Sequence, residues 1–136
     1  MSTNAEAQLA IETRLNANWT DQGVELRFEN EARKIPVGEH LRLSIRNLRP
    51  FEVGYSAGIV RYRRPGIIWV QCFVEAKTGT QRARVIADAV ADIFEGQQFG
   101  EITCREAEQE ELGDDGEGFW QVNCKIYFDH DYDRSY

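Results

Sequence analysis

The segment Arg61–Val74, RYRRPGIIWVQCFV, decides the fold because it joins a basic stretch to a strongly apolar run. The residues from Ile67 to Glu75 include few polar side chains, which predicts a central strand covered on both faces. The dipeptide Pro65-Gly66 before this strand predicts a tight reversal, and Gly58–Arg63 before it predicts a neighbouring strand. The segment therefore indicates a sheet built from hairpins.

Two amphipathic helices are predicted around these strands. A capping box at Thr3–Glu6 begins the first helix, expected over about Asn4–Trp19. The second is expected over about Gln81–Glu95, with Gly96 as its C-terminal cap and a hydroxyl of Thr78 or Thr80 at its start. Their apolar stripes are Ala7, Ile11, Leu15 and Trp19, and then Val85, Ile86, Ala89, Val90, Ile93 and Phe94.

The remaining apolar segments predict strands. Alternation of apolar and polar residues marks Val24–Phe28 and Leu41–Arg46, and two closing strands are expected at Glu101–Arg105 and Phe119–Phe128. Loops are predicted over Asn47–Ser56 and over the acidic segment Glu106–Gly118. This order predicts an α+β fold in one domain, residues 1–136: a single mainly antiparallel or mixed sheet of about five to six strands with two packed helices.

The composition is that of a globular protein with one core. Its 136 residues are 42% hydrophobic and 29% charged, and no apolar run is long enough to span a membrane. The N-terminus lacks the basic start and apolar stretch of a signal peptide, so a cytosolic location is expected. Cys72, Cys104 and Cys124 are odd in number and widely spaced, which predicts reduced, buried thiols.

The sequence predicts no enzyme, cofactor or metal site. The segment Glu75–Thr80 lacks the residue order of a phosphate-binding loop. A cysteine nucleophile would need His40 or His130 nearby, and strand cysteines are more often core residues. The tail Asp129–Asp133 offers oxygen and imidazole ligands for a divalent ion, but a solvated polar C-terminus is favoured.

Charge is distributed unevenly along the chain, whose net charge is −7. Arg27–Arg64 has nine basic against four acidic residues, whereas Glu101–Tyr136 has eleven acidic against three basic residues. The basic strands allow three interpretations: a protein interface, a solubilising exposed face, or a track for single-stranded nucleic acid with Tyr55 and Tyr62 as stacking platforms. The sequence pI of 4.9 favours the interface.

Four stretches together resemble the phage tail terminator-like family of long-tailed bacteriophages. They are GVELRFENEARKIPVGEHLRLSI (23–45), PGIIWVQCFVEAKTGT (65–80), RARVIADAVADIFEGQQF (82–99) and the closing WQVNCKIYF (120–128). The resemblance implies a structural protein whose subunits close into a ring, a hexamer, on the last ring of the tail tube. That ring ends tail polymerisation and offers a docking surface to head-completion proteins. The protein would work in the host cytoplasm during assembly and remain at the head-proximal end of the virion tail.

The two charged regions supply the candidate interface residues. They are Arg42, Arg46, Arg61, Tyr62, Arg63 and Arg64 on the basic side, and Asp114, Asp115 and Glu117 on the acidic side. A ring formed head to tail uses two different patches on each subunit, and these regions would meet that need. The arginines would either pair with a neighbour's acidic loop or line the lumen through which DNA passes. The alternative function is a small nucleic-acid-binding module that uses the basic strand face.

Overall fold

The computed structural model describes residues 3–29, 38–77 and 79–136, which form two helices packed on one mixed sheet that curls into a half-barrel. The α+β class is confirmed, and the sheet of seven strands in the described residues exceeds the predicted number. The helices are α1 Asn4–Asn18 and α2 Gln81–Phe94. The strands are β1 Glu25–Phe28, β2 His40–Asn47, β3 Phe51–Ser56, β4 Ile59–Glu75, β5 Gln98–Phe99, β6 Ile102–Asp114 and β7 Phe119–Ser135.

The sheet is organised around one long antiparallel ladder between β4 and β7. The strand order is β1-β2-β4-β7-β6-β5, and β3 pairs with β4 beyond the end of β2. Among the described strands, only the β1–β2 pair is parallel. The β4–β7 ladder runs from Ile59 opposite Ser135 to Glu75 opposite Phe119. A ladder of this length spans roughly 50 Å, so its two ends present separate surfaces.

Strand alternation places the core on the face that carries the helices. Even-numbered residues of β4 and β7 point toward α1 and α2, and odd-numbered residues point to the opposite face, called here the helix-free face. The centre of the core consists of Ile68, Val70, Cys72 and Val74 of β4, Val122, Cys124, Ile126 and Phe128 of β7, and the helix residues Ile11, Leu15, Ile86 and Phe94.

Both helices lie within a residue of their predicted bounds. Thr3 Oγ1 accepts a hydrogen bond from the Glu6 amide at 3.1 Å, as the capping box predicts. Gly96 follows α2 with a φ of +69°, the left-handed conformation of a glycine cap. Thr80 makes no side-chain cap bond, and Thr78 lies outside the described residues. No helix in the described part of the chain is long and apolar enough to cross a membrane.

The predicted reversal at Pro65-Gly66 is wrong, because both residues lie inside β4. The Pro65 carbonyl accepts from the Leu48 amide at 2.8 Å. In an antiparallel strand the N–H and the C=O of one residue point to the same side, so the N–H that proline lacks would also face the gap between β2 and β3. The ladder requires no further hydrogen bond from Pro65 in that gap. Gly66 serves packing instead, since a Cβ there would lie 2.4 Å from Cζ of Phe128.

Three predicted irregular segments are also strands. The expected loop Asn47–Ser56 contains β3, and most of the expected acidic loop Glu106–Gly118 belongs to β6, which ends at Asp114. The expected solvated tail Asp129–Asp133 continues β7 opposite the start of β4. The polar composition of these segments suggested that their backbone N–H and C=O groups would face water. In each case a neighbouring strand forms hydrogen bonds with these groups instead. Val85, predicted in the apolar stripe of α2, is 49% exposed.

Candidate interaction surfaces

The end of the long ladder projects beyond the rest of the sheet as a three-stranded arm. This arm consists of β3, residues 59–63 of β4 and residues 131–135 of β7. It extends past the last β2–β4 pair, Asn47 opposite Gly66, and past the first β6–β7 pair, Ile102 opposite His130. The arm therefore has an exposed helix-free face and an outer edge on β3, whereas Tyr132 on its other face is only 8% exposed.

A two-residue turn at Ala57-Gly58 connects the first two strands of the arm. Both residues have positive φ, 50° and 82°, as a type I′ hairpin turn requires. The strand pairing shifts between Glu52 and Gly54, so Val53 lies at a β-bulge. The amide of Tyr136 donates to the Gly58 carbonyl at 3.1 Å, which fixes the end of the chain to the turn.

Two arginines of the basic cluster are paired within the chain, on the helix-free face of the arm. Arg61 donates through Nε and Nη2 to the Asp133 carboxylate at 2.9 and 3.2 Å. Arg63 makes the same bidentate contact with Asp131 at 2.8 and 3.0 Å. These hydrogen bonds hold the pKa of each aspartate below its usual value. The tail that the sequence predicted as a solvated polar C-terminus is therefore part of an ionic ladder.

The opposite face of the arm carries an aromatic ladder. Tyr62 stacks on Tyr132 with ring centroids 5.5 Å apart, and Tyr55 stacks on Tyr136 at the same distance. Arg64 lies over the Tyr132 ring at 4.6 Å and donates to the side chain of Asn4 in α1. The structure thus divides the predicted basic cluster, with Arg61 and Arg63 on one face and Tyr62 and Arg64 on the other.

The arm also carries most of the exposed apolar surface of the described residues. Nine large apolar side chains are exposed in the described residues, and six of these nine lie on the arm or at its base. Phe51, Tyr55 and Tyr136 are 50%, 66% and 70% exposed. A concentration of apolar side chains on a polar protein marks an interaction site. The six residues are Leu48, Phe51, Val53, Tyr55, Ile59 and Tyr136.

The predicted acidic patch lies at the far end of the ladder, in the turn between β6 and β7. Asp114 accepts from the Gly116 amide at 2.8 Å, and Asp115 accepts from the Glu117 and Phe119 amides at 2.7 and 3.1 Å. Two of the three predicted acidic residues therefore shape the turn on which they lie. All three remain exposed, about the length of the ladder away from the arm.

The other two predicted arginines lie on the helix-free face beside β4. Arg42 is opposite Gln71, and Arg46 is opposite Ile67 and stacks over the Trp69 ring at 5.6 Å. Trp69 also contacts Lys125, whose Nζ lies 4.5 Å from the ring centroid. Both arginines are exposed, and none of the ion pairs in the described residues includes them.

Lys125 connects this face to the acidic strand β6. Its Nζ lies 2.8 Å from the Glu110 carboxylate and 3.9 Å from that of Glu108. The hydrogen bond from Lys125 to Glu110 raises the pKa of the lysine, which stays protonated at neutral pH. The helix-free face is thus basic near β2 and acidic near β6.

The three cysteines are buried and free, as the sequence predicts. Burial raises the pKa of the Cys104 and Cys124 thiols to about 12, and it raises the pKa of Cys72 further. Thiols with such values carry almost no thiolate at neutral pH, so they lack the reactive form that nucleophilic catalysis needs. No group of His, Cys, Asp and Glu side chains in the described residues has an arrangement that could hold a metal ion.

Comparison with known proteins provides a fold but no function. No family model and no curated protein matches the chain. A solved structure whose name states no function is similar over 96% of this chain and 96% of its own, with a TM-score of 0.68 and 16% sequence identity. At this identity the likeness concerns the fold alone.

The arm was missed at the sequence level, although two signals for it were present. Phe51, Val53 and Tyr55 alternate with other residues, which is the period of a strand. Asp129, Asp131 and Asp133 alternate in the same way, and so do Arg61 and Arg63. Two alternating segments of opposite charge predict cross-strand ion pairs, a possibility that the polar composition of the tail obscured.

Proposed function

We propose that this chain is a structural, non-enzymatic phage protein that closes into a ring at the end of the tail tube. The ring, a hexamer, ends tail polymerisation and offers its outer face to head-completion proteins. Assembly takes place in the host cytoplasm, and the protein remains at the head-proximal end of the tail. The proposed membership of the phage tail terminator-like family rests on the sequence resemblance. The arrangement of surfaces on the fold supports the proposed function.

The observation that supports the proposal is the separation of two dissimilar surfaces. The apolar arm and the acidic β6–β7 turn lie at opposite ends of a ladder of roughly 50 Å. A subunit that assembles head to tail needs two unlike patches that cannot meet within one copy. The arm meets this requirement because its apolar side chains lie away from the core of their own subunit.

The ion pairs of the arm change the role proposed for the arginines. Arg61 and Arg63 hold the arm together, so they present its surface rather than form the contact themselves. Arg42 and Arg46 remain available on the helix-free face. In the proposed ring they are the residues that would meet either a neighbour or the DNA in the lumen.

The proposal is tested by the assembly state of the purified chain. Light scattering over a range of concentrations and negative-stain electron microscopy should show rings for the wild type. Substituting Phe51→Asp or Tyr55→Asp should weaken association by at least about tenfold, because a charge replaces an exposed apolar side chain of the arm. Val85→Asp is the matched control, since Val85 is as exposed as Phe51 but lies on α2.

A titration with single-stranded DNA at low and high salt distinguishes the alternative function. A chain that stays monomeric and binds DNA tightly in a salt-sensitive manner would support the nucleic-acid-binding module instead. Rings that form equally well from the wild type and from both arm variants would remove the arm from the proposal.

A further inference from the structure

Each edge of the sheet is covered by a strand along only part of its length. On one side, β1 covers residues His40–Leu43 of β2. Beyond Leu43, the rest of β2 and all of β3 have no strand on their outer side in the described residues. On the other side, β5 covers the first two residues of β6. The portion of β6 from Glu108 to Asp114 likewise has no outer strand in the described part of the chain.

The backbone hydrogen bonds show which groups point outward along these edges. The Ala107 amide donates to the Glu95 side chain at 2.7 Å, away from β7. Because pairing is regular from Ala107 to Glu111, alternation turns the amides of Gln109 and Glu111 outward as well. On the other edge, Leu48 donates inward to Pro65, so the amides of Ile45 and Asn47 point outward. Both edges thus offer rows of backbone donors and acceptors.

The two edges carry opposite charge. The uncovered part of β6 and its turn contain the acidic residues Glu108, Glu110, Glu111, Asp114, Asp115 and Glu117, and no Lys or Arg. The uncovered edge formed by β2 beyond Leu43 and by β3 carries Arg46 and Arg49 against one acidic residue, Glu52. On the helix-free face the contrast is between Glu108 and Glu110 on β6, which share one cation, Lys125, and Arg46 on β2.

The strand directions make these edges compatible in copies that have the same orientation. β6 runs with β4, whereas β2 and β3 run against β4. If β6 of one copy lies beside β2 and β3 of the next, the pairing is antiparallel and the helices of both copies stay on the same side of the sheet. Such a seam is head to tail and can repeat around a ring.

The partial coverage also sets an offset between neighbouring copies. The uncovered part of β6 is level with Trp69–Val74 of β4, whereas β3 is level with Ile59–Arg63. Neighbours must therefore shift along the strand direction, as the tilted strands of a closed barrel do. β1 and β5 occupy the parts of each edge that this offset leaves outside the seam.

We infer that copies of this chain join by β-strand pairing, with the uncovered part of β6 against the outer edge of β2 and β3 of the next copy. The sheet then continues through each seam of the assembly, with backbone hydrogen bonds joining the edges and charge selecting the partner edge. This inference names the contact within the proposed ring and rests on that proposal for the existence of self-association.

The backbone of β6 provides a direct test. Gln109→Pro removes an outward amide and leaves the bonds to β7 intact, so the fold should survive, as circular dichroism would show. Self-association, measured by light scattering, should weaken by at least about tenfold. The seam loses a hydrogen bond, and the pyrrolidine ring of the proline clashes with the neighbouring copy. Gln109→Ala is the control, since it loses the side-chain bond to Asp88 but keeps the amide.

Cross-linking keeps the inference testable if the proline variant does not fold. Single variants Glu52→Cys on β3 and Leu112→Cys on β6 are mixed and treated with a short bismaleimide, to which the three buried native cysteines are poorly accessible. A cross-linked dimer is expected from this mixture and not from Val85→Cys mixed with Leu112→Cys.

The possible results separate the inference from the proposed function. Wild-type rings that persist in Gln109→Pro and yield no β3–β6 cross-link would overturn the edge seam but leave the ring proposal standing. A wild-type chain that is monomeric at every concentration and forms no cross-link would overturn both.

Discussion

Replacing Gly66 by alanine should destabilise the protein, because this residue makes room for an aromatic ring in the core. A Cβ at position 66 would lie 2.4 and 2.6 Å from two ring atoms of Phe128, and 3.0 Å from the Arg46 carbonyl oxygen. Phe128 is 1% exposed, so the clash falls on a ring that is packed in the core. Overpacking of this kind costs about 1–3 kcal/mol, and the close contacts place Gly66→Ala toward the upper end.

Part of that cost is offset by the chain entropy that alanine saves. Glycine in a strand interior is less favourable than alanine by about 0.5–1 kcal/mol. The expected net loss is therefore about 2 kcal/mol in the free energy of unfolding. With a urea dependence of about 2 kcal/mol per M, the unfolding midpoint should fall by about 1 M.

Urea unfolding followed by tryptophan fluorescence measures this shift. Gly54→Ala is the matched control, because Gly54 also lies in a strand but the nearest atom to its Cβ would be 3.8 Å away. In a Phe128→Leu background the cost of Gly66→Ala should fall below about 0.5 kcal/mol, since the clashing ring atoms are gone. An unchanged midpoint for Gly66→Ala alone, or the same cost in both backgrounds, would refute the packing argument.

Three further predictions concern the core, the arm turn and pH. Phe94→Ala should cost about 3–5 kcal/mol, because Phe94, the last residue of α2, is fully buried in the core; a thermal midpoint equal to that of the wild type would contradict this. Ala57→Gly should stabilise the arm by about 1 kcal/mol, because Ala57 has a φ of 50°, a left-handed conformation that strains any residue with a Cβ. A lower urea midpoint for the variant would refute the argument that Ala57 is strained. Burial, and secondarily Arg64, lowers the pKa of His130, so the free energy of unfolding should decline as pH falls below about 6.5. Between pH 7 and 5 the His130→Gln variant should lose less of this free energy than the wild type. Equal losses in the two proteins would reject the effect.

The helices were predictable from sequence because local signals determine their bounds. The capping box at Thr3 and the glycine at position 96 lie where α1 begins and α2 ends. The apolar spacing identified Ile11, Leu15, Ile86 and Phe94 as core residues, and all four are buried. Local capping and a period of 3.6 require no knowledge of the rest of the fold.

The strands were less predictable because their extent depends on distant partners. Pro65-Gly66 has the composition of a turn, yet Leu48 and Phe128 contact it from other strands and keep it extended. The polar segment after Arg105 becomes a strand because β7 pairs with it, and the segment after Phe128 becomes a strand because β4 pairs with it. Turn propensity is a local quantity, whereas ladder pairing is not, so the tertiary contacts override it.

The ion pairs of the arm also change where the charge of the molecule can act on a partner. Arg61 and Arg63 are matched by Asp133 and Asp131 on the adjacent strand, so both charged regions of the sequence lose part of their excess to each other.

The charge that remains lies along the two sheet edges. It is basic at Arg46 and Arg49, and acidic at Asp114, Asp115 and Glu117, which belong to no ion pair of the described residues, whereas Glu110 and Glu111 of β6 are paired with Lys125 and Arg84. Reversing Arg61 and Arg63 would place like charges in contact within the arm, and failed assembly would then report a damaged arm rather than a broken interface. Reversing the charge of Arg46 tests the interface itself, because its side chain is exposed on the uncovered part of β2 and belongs to no ion pair of the described residues.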